Sequence, residues 1–285
     1  MKFKHLATKK LLASAFLAGC VGSFVALQAE EDGPVDRPAQ WKKVEAALKK
    51  GLPKTAIKAL EPIITSALAD KEHAEAIKAI GQRIALEGNI QGNKPEEKIT
   101  RMRAEIEKAP KEMVPVMEAI MANWYWHYFQ ANRWRFMQRT QTGTPPGEDF
   151  TTWDLKRIFT EIDKQFVKAL SAAPQLKKIP VADYDALLSK GTAPDAYRPT
   201  LWDFLIHNAI AFYSSAEQAG AKPQDSFVLK SDSPIFASAD EFMRWKMESS
   251  DKTSPTFKAI RLYQHLLAFH RKDDDKSAFI DADLL

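Results

Sequence analysis

The segment that decides the fold spans residues 113–137 and reads MVPVMEAIMANWYWHYFQANRWRFM. One stripe of this segment recurs at three- and four-residue steps and consists of Met117, Ile120, Trp124, Tyr128 and Ala131. Because Tyr125, Trp126 and Phe129 fill the other sides, the helix that this spacing predicts is apolar nearly all round. A helix of that kind lies in the centre of a helical protein and not at its surface.

Helical periodicity extends from this segment in both directions along the chain. Apolar residues recur at helical spacing in six further segments, 41–48, 57–68, 74–84, 155–170, 201–212 and 260–270. The connections are short, so consecutive helices are expected to pack as antiparallel neighbours. The sequence therefore predicts an all-α fold of stacked antiparallel helical hairpins, tetratricopeptide-like or an irregular α-bundle, with one short strand at 227–229. The full tetratricopeptide consensus is absent.

Local signals mark helix ends and one irregularity. Ser238 with Glu241 three residues later forms a capping box, and Thr151 with Asp154 is a variant of it. Pro62 lies inside the second helical pattern, where a proline removes a backbone hydrogen bond. We therefore expect a kink or a break in that helix.

Residues 1–29 form a predicted signal peptide. A start with four lysines precedes an apolar run over 11–27, which is short for a membrane span, and the small residue Ala29 suits cleavage. The run also contains the tetrad Leu17-Ala18-Gly19-Cys20, which matches a lipobox, so lipidation of Cys20 is the alternative. Both routes predict an exported protein, periplasmic or at the cell surface, and soluble or lipid-anchored.

Composition limits what the remaining helical domain, 30–285, can do; its candidate sub-regions are 40–172 and 173–285. Four of the chain's 41 Lys and Arg lie in 1–29, which leaves 37 basic against 37 acidic residues. Nucleic-acid binding needs a cluster of basic residues, and this balanced composition does not indicate one. The chain's one cysteine is Cys20, so disulfides, cysteine–zinc sites and cysteine nucleophiles are excluded from the predicted mature part.

Motifs that carry catalysis are missing from the sequence. It has no nucleophile elbow and no glycine-rich phosphate loop, and no two histidines have the i, i+4 spacing of a zinc site. Glu161 and Asp163 are two residues apart, hence on different faces of a helix. We therefore predict that the protein is not an enzyme and has no cofactor or metal. The alternative is a cell-wall hydrolase whose site is assembled from distant carboxylates.

Aromatic and charged residues of the central segment and two later blocks form a candidate contact cluster. Its members are Trp124, Tyr125, Trp126, Arg133, Trp134, Arg135, Trp153, Asp154, Trp202 and Asp203. Exposed tryptophans beside arginines can anchor a protein partner or stack on sugars. At helical spacing the same rings form a core, which is the favoured interpretation. Any buried arginine would then need a carboxylate partner, for which Asp154 and Asp203 are candidates.

Three blocks of sequence resemble one known family, in the same order along the chain. They are Tyr125-Trp126-His127-Tyr128-Phe129-Gln130-Ala131-Asn132-Arg133-Trp134-Arg135-Phe136, Thr152-Trp153-Asp154-Leu155 and Tyr197-Arg198-Pro199-Thr200-Leu201-Trp202-Asp203-Phe204-Leu205. Over 41–285 the chain resembles the N-terminal helical region of large bacterial alpha-2-macroglobulin-like proteins. The resemblance implies an envelope protein whose downstream domains trap proteases. Those domains and a thioester cysteine are missing here, so no functional residue is carried over, and the chain is similar to the front portion of something longer.

These observations together predict a non-enzymatic envelope interaction or scaffolding module. Its expected partner is another protein or downstream macroglobulin-like domains, with no nucleic acid, and with membrane contact only through a lipid anchor. A glycan-binding module is a further alternative, and it predicts that several of the seven tryptophans are exposed.

Overall fold

Helices make up almost all of the regular structure. The computed structural model describes residues 2–3, 35–92, 94–139, 147, 149–189, 191–222 and 227–285. Its helices are α1 (Arg37–Lys49), α2 (Pro53–Ala69), α3 (His73–Ile90), α4 (Pro95–Lys108), α5 (Val114–Ala131), α6 (Arg133–Gln138), α7 (Leu155–Leu170), α8 (Ala173–Leu176), α9 (Leu201–Tyr213), α10 (Gln218–Ala221), α11 (Ala239–Arg244), α12 (Pro255–His270) and α13 (Ser277–Leu284). Strand β1 (Lys2–Phe3) pairs antiparallel with β2 (Leu188–Ser189). The predicted all-α fold of packed helices is confirmed. Cys20 and Ala29, the two predicted processing positions, lie outside the described residues.

The chain forms two compact units. One lies within residues 5–94, and the other comprises 1–4 and 95–285. The candidate sub-regions from the sequence divide at a different point, 172/173, which falls inside the second unit. There, α7 from one side of that point packs against α9 from the other.

The described part of the unit within residues 5–94 consists of two consecutive helical hairpins. Helix α2 packs against both α1 and α3. Their shared aliphatic core includes Val44, Leu60, Ile63, Ile77, Ile80 and Ile84. The first hairpin turns at Gly51, whose φ of 68° lies in the left-handed region that glycine adopts without a Cβ clash. Arg37 at the start of α1 pairs with Asp70 at the end of α2, which fixes the antiparallel arrangement.

Pro62 does not break α2; of the predicted kink or break, the break is absent and the kink stays a prediction. The helix runs without interruption from Pro53 to Ala69 and contains Pro62 in its interior. Pro62 has no N–H to donate to the carbonyl of Lys58, one turn earlier. Because Lys58 is exposed, that carbonyl lies on the solvent side of the helix. The buried face formed by Ala59 and Ile63 holds the helix on its neighbours despite the lost hydrogen bond.

The unit that contains 95–285 is organised around α5 and α7. These two helices pack antiparallel: Lys168 near the end of α7 pairs with Glu118 near the start of α5, and Phe159 contacts Phe129 at the opposite ends. Helix α4 packs on α5, and α9 packs on both α7 and α12. The central helix predicted from the sequence is thus present. It is nevertheless two helices, because the chain departs from helical geometry at Asn132 and continues as α6.

Two local predictions are wrong and one is right. Residues 227–229 have no regular secondary structure, so the predicted short strand is not found there. Asp154 is itself the N-cap of α7, where its carboxylate accepts a hydrogen bond from the Arg157 N–H at 2.7 Å, so the helix starts after the predicted position. The capping box of Ser238 and Glu241 is confirmed at the start of α11.

Candidate functional site

Most of the candidate aromatic cluster is core. Tyr125 is buried, with its ring centroid 6.0 Å from Trp153 in a stacked contact and 5.1 Å from Phe150 in an edge contact. Burial raises the pKa of Tyr125 to about 12. Trp126 is half-buried, and its ring centroid lies 5.7 Å from that of Phe159. The rings therefore fasten α5 to α7 and to the turn before α7, as the packing interpretation predicts.

Trp134 is the exception, with 65% of its surface exposed. Helix α6 is anchored by Phe136, which is buried with its ring centroid 5.6 Å from that of Phe129. Residues two apart are about 200° apart around a helix, so burial of Phe136 turns Trp134 outward. Met137 is about 60° from Trp134 around the same axis and is 52% exposed. We call the exposed residues Arg133, Trp134 and Met137 the α6 face.

The arginines beside Trp134 stay at the surface. Arg133 is exposed and its Nε lies 3.5 Å from Oε1 of Glu217, while Arg135 is half-buried. The predicted role of Asp154 and Asp203 as carboxylate partners of these arginines is wrong. Asp154 caps α7, and Asp203 pairs with a histidine, as described next. Because water solvates the two guanidinium groups, neither needs a buried counter-charge.

Asp203 and His270 form a buried pair between α9 and α12. Asp203 is 0% exposed; its Oδ1 lies 2.8 Å from His270 Nε2, and its Oδ2 accepts hydrogen bonds from the backbone N–H and hydroxyl of Thr200. The other ring nitrogen, His270 Nδ1, lies 2.6 Å from Oδ2 of Asp273. Burial opposes protonation of His270, but the two carboxylates outweigh it and hold its pKa above the usual value. The imidazolium therefore joins the two helices.

Trp202 and Trp124, the other predicted cluster members, are not surface anchors. Trp202 is buried beside Phe269, with ring centroids 5.2 Å apart. The ammonium of Lys177 lies 4.1 Å from the Trp202 ring centroid, and burial lowers the pKa of Lys177. Trp124 is half-buried on α5. Of the seven tryptophans, all of which the structure describes, Trp134 is the one that is exposed.

A cavity of about 500 Å³ lies beside α5 and α7 and has a polar floor. Three polar residues of its lining are almost completely buried: Glu118 (3% exposed), Glu161 (3%) and Gln165 (1%). Gln165 donates from Nε2 to Glu161 Oε1 at 2.7 Å, and Lys168 Nζ lies 2.9 Å from Glu118 Oε1. Glu118 Oε2 and Gln165 Oε1 are buried and have no hydrogen-bond partner. The floor of this cavity thus has two unsatisfied acceptors.

Cationic side chains form the rim of the same cavity. Arg157 Nη2 lies 3.8 Å from Glu161 Oε2 and its guanidinium lies 4.7 Å from the Trp153 ring centroid. Lys164 Nζ lies 3.7 Å from Glu161 Oε1. The side chains of Arg157, Lys164 and Lys168 are 41%, 59% and 49% exposed, so they separate the buried carboxylates from bulk solvent.

A second cavity, of about 610 Å³, lies on another side of α7 and contains Asp163. Asp163 Oδ1 accepts a hydrogen bond from the Tyr213 hydroxyl at 2.7 Å and lies 2.5 Å from Lys258 Nζ. Burial and the adjacent carboxylate raise the pKa of Tyr213. Glu161 and Asp163 therefore serve different cavities, as the two-residue spacing predicts. The polar groups at Asp163 are already paired with one another.

Sequence reasoning missed the floor of the first cavity. Glu118 and Gln165 were not singled out, and Glu161 was considered only with Asp163. One signal was present: Glu118 is the one charged residue in the apolar run 113–122, on a helix predicted to be buried on all sides. Glu161, Gln165 and Lys168, which line the cavity with it, come from α7, 43 or more residues later, and no local pattern indicates that they meet.

The remaining findings concern what the described part of the chain does not contain. None of its helices has the length and apolar character needed to cross a membrane. Across the same residues, His, Asp and Glu side chains nowhere gather in a group of three or more that could hold a metal ion. No protein-family model, no curated protein and no solved structure matches the chain. The resemblance to alpha-2-macroglobulin-like proteins therefore stays a prediction.

Proposed function

We propose that this protein is an exported, non-enzymatic helical module that docks another protein through the α6 face. The observation that carries the proposal is the 65% exposure of Trp134 on a helix whose other aromatic residue is core. A tryptophan buries roughly 200 Å² when fully covered, so covering the exposed part of Trp134 is worth about 3 kcal/mol. Tryptophan and arginine are also the residues that most often dominate binding energy at protein interfaces.

The α6 face sets the chemistry of the partner. Trp134 and Met137 require an apolar socket, because both expose more than half of their surface to water. Arg133 and Arg135 lie beside them and favour carboxylates around that socket, since rim charges steer association and exclude wrong partners. The partner that fits is an envelope protein with an apolar depression edged by Asp or Glu. Export, which the N-terminal sequence predicts, would place the two in one compartment.

Two alternatives from the sequence have weaker support. A glycan-binding surface built from several tryptophans needs several exposed rings, and one is exposed. A hydrolase needs carboxylates that converge on a cavity, and Glu118 and Glu161 do so. However, each of these carboxylates already has a lysine or arginine nitrogen within 4 Å, so neither is set apart as the proton donor that acid–base hydrolysis requires. Turnover of cell-wall glycan that Glu161→Gln abolishes would reverse this ranking.

Site-specific photocrosslinking in the native cells tests the proposal. A photoreactive amino acid replaces Met137 on the α6 face or, as a matched control, Val167, an exposed apolar residue (55%) on α7. Val167 lies far from the α6 face. Its neighbour Lys168 contacts Glu118, and Glu118 is 13 residues, or about 20 Å along α5, from the end of α5 that leads to α6. We expect a defined crosslinked protein from position 137, absent from position 167 and lost when Trp134→Ala is added. Equal labelling from both positions, or none from 137, would refute the docking surface.

A further inference from the structure

We propose that the cavity beside α5 and α7 binds a small zwitterion, namely a free amino acid or a short peptide, through its ammonium group. This proposal is independent of the α6 face, because it concerns the residues Glu118, Glu161 and Gln165. The cavity volume of about 500 Å³ lies within the range of sites that hold small ligands.

The floor of the cavity calls for a hydrogen-bond donor. Glu118 Oε2 and Gln165 Oε1 both lack a partner although their side chains are 97% and 99% buried. A buried acceptor without a partner costs about 1–3 kcal/mol, and more when it is charged. Lys168 pairs with Glu118 through Oε1 and leaves Oε2 as an acceptor without a partner. An ammonium group has three donors and a positive charge, which suit a carboxylate oxygen and an amide oxygen.

The rim of the cavity calls for an anion. Four cations line it, and the side chains of the last three are each at least 41% exposed: Arg103, Arg157, Lys164 and Lys168. A ligand whose ammonium lies at the floor therefore meets cations at the mouth. An α-carboxylate placed a few ångströms from the ammonium pairs with an arginine or lysine of the rim. A simple amine lacks that second contact, and a simple carboxylate lacks the first.

Glu118 Oε2 and Gln165 Oε1 are buried, so binding requires their side chains to turn towards the cavity. The Gln165 amide can do this by rotating, provided that its hydrogen bond to Glu161 is kept or replaced. Glu118 can do so because Lys168, its partner, is half-exposed and can follow. Ligand binding is therefore expected to change the environment of the Gln165 side-chain amide, which is visible by NMR.

Calorimetry and thermal shift with three probes test the proposal: alanine, lysine and the dipeptide alanyl-alanine, each up to 10 mM. We expect at least one probe to bind, and its fully N-acetylated form, in which both amines of lysine are acetylated and no ammonium remains, to bind at least tenfold more weakly. Glu118→Gln keeps the size of the side chain and should also weaken binding at least tenfold, whereas Glu107→Gln at the exposed edge should change it less than threefold. The comparison of free and acetylated probes needs no variant, so a folding defect of Glu118→Gln leaves the test intact.

Specific outcomes would overturn the proposal. If none of the three probes binds, or if acetylated and free forms bind alike, the unpaired oxygens do not form an ammonium site. A Gln165 side-chain NMR signal that stays unchanged at saturation would place any binding elsewhere. Trp134→Ala is expected to leave probe binding unchanged, so this proposal and the docking function fail or succeed separately.

Discussion

Replacement of His270 by alanine tests whether the buried Asp203–His270 pair holds α9 against α12. Asp203, which is 0% exposed in the wild type, loses its cationic partner in the variant but can still accept the hydrogen bonds from Thr200. Removing one partner of a buried ion pair costs about 3–5 kcal/mol, because the other charge stays buried without compensation. For a unit of this size, about 2–4 °C of melting temperature corresponds to each kcal/mol, so we expect a fall of roughly 10 °C.

Thermal and urea unfolding measured with two matched variants give the assay. His265→Ala removes an exposed histidine of the same helix and should change the stability by less than about 0.5 kcal/mol. Asp273→Ala removes the second carboxylate partner of His270, whose side chain is 39% exposed, and should lower the free energy of unfolding by about 1 kcal/mol or less. If His270→Ala cost no more than His265→Ala, the pair would not carry the packing of α9 on α12, and this reasoning would be refuted.

The same pair makes a signed prediction about pH. The pKa of His270 is raised in the folded protein. Its contribution to stability is therefore complete below the unfolded pKa of about 6.5 and is lost as the pH rises through the folded pKa. The difference in stability between the wild type and His270→Ala should be larger at pH 6 than at pH 9. A difference that grows with pH would contradict the assignment of an imidazolium.

Three further perturbations have defined outcomes. Phe129→Ala deletes a ring that is 0% exposed and contacts Phe136 and Phe159, and urea titration should show a loss of about 3–5 kcal/mol. Pro62→Ala restores the N–H missing inside α2 and should increase the free energy of unfolding of the 5–94 unit by up to about 3 kcal/mol, which raises its melting temperature. A lower melting temperature would show that the proline ring is needed for packing. Burial lowers the pKa of His207 to about 4. The stability that depends on a neutral His207 is therefore present above pH 6.5 and is lost as the pH falls through 4. His207→Leu should reduce the loss of stability between pH 7 and pH 4 by about 3 kcal/mol.

Periodicity alone was enough to predict the fold class, because most helices bury one regular face. Of the run 113–137, the helix through Phe129 was correctly placed in the core, whereas Trp134 and Met137 are exposed. The capping box at Ser238 was correctly placed at a helix start. The break at Asn132 was not predicted, since the apolar pattern continues through it and the departure depends on how Phe136 packs against Phe129. The absence of a break at Pro62 has a tertiary cause: packing of α2 on its neighbours outweighs a local helix breaker.

The candidate site was predictable only in part. Sequence spacing identified Trp134 and Arg133 as members of a cluster, but the same spacing applies to the buried Tyr125. Which ring faces water depends on the second helix of the pair, α6, and on its rotation about Phe136. The Glu118–Gln165 floor and the Asp203–His270 pair join residues 47 and 67 positions apart, and such contacts leave no trace in local periodicity.

The most direct test of the central claim is the affinity of the purified chain for the protein that crosslinks to the α6 face, compared between Trp134→Ala and Val167→Ala. Both variants remove an exposed apolar side chain, and both should melt within about 2 °C of the wild type. If the α6 face is the docking surface, Trp134→Ala weakens binding by about 30-fold or more, equivalent to about 2 kcal/mol, and Val167→Ala by less than threefold. Equal affinities for the two variants would contradict the account.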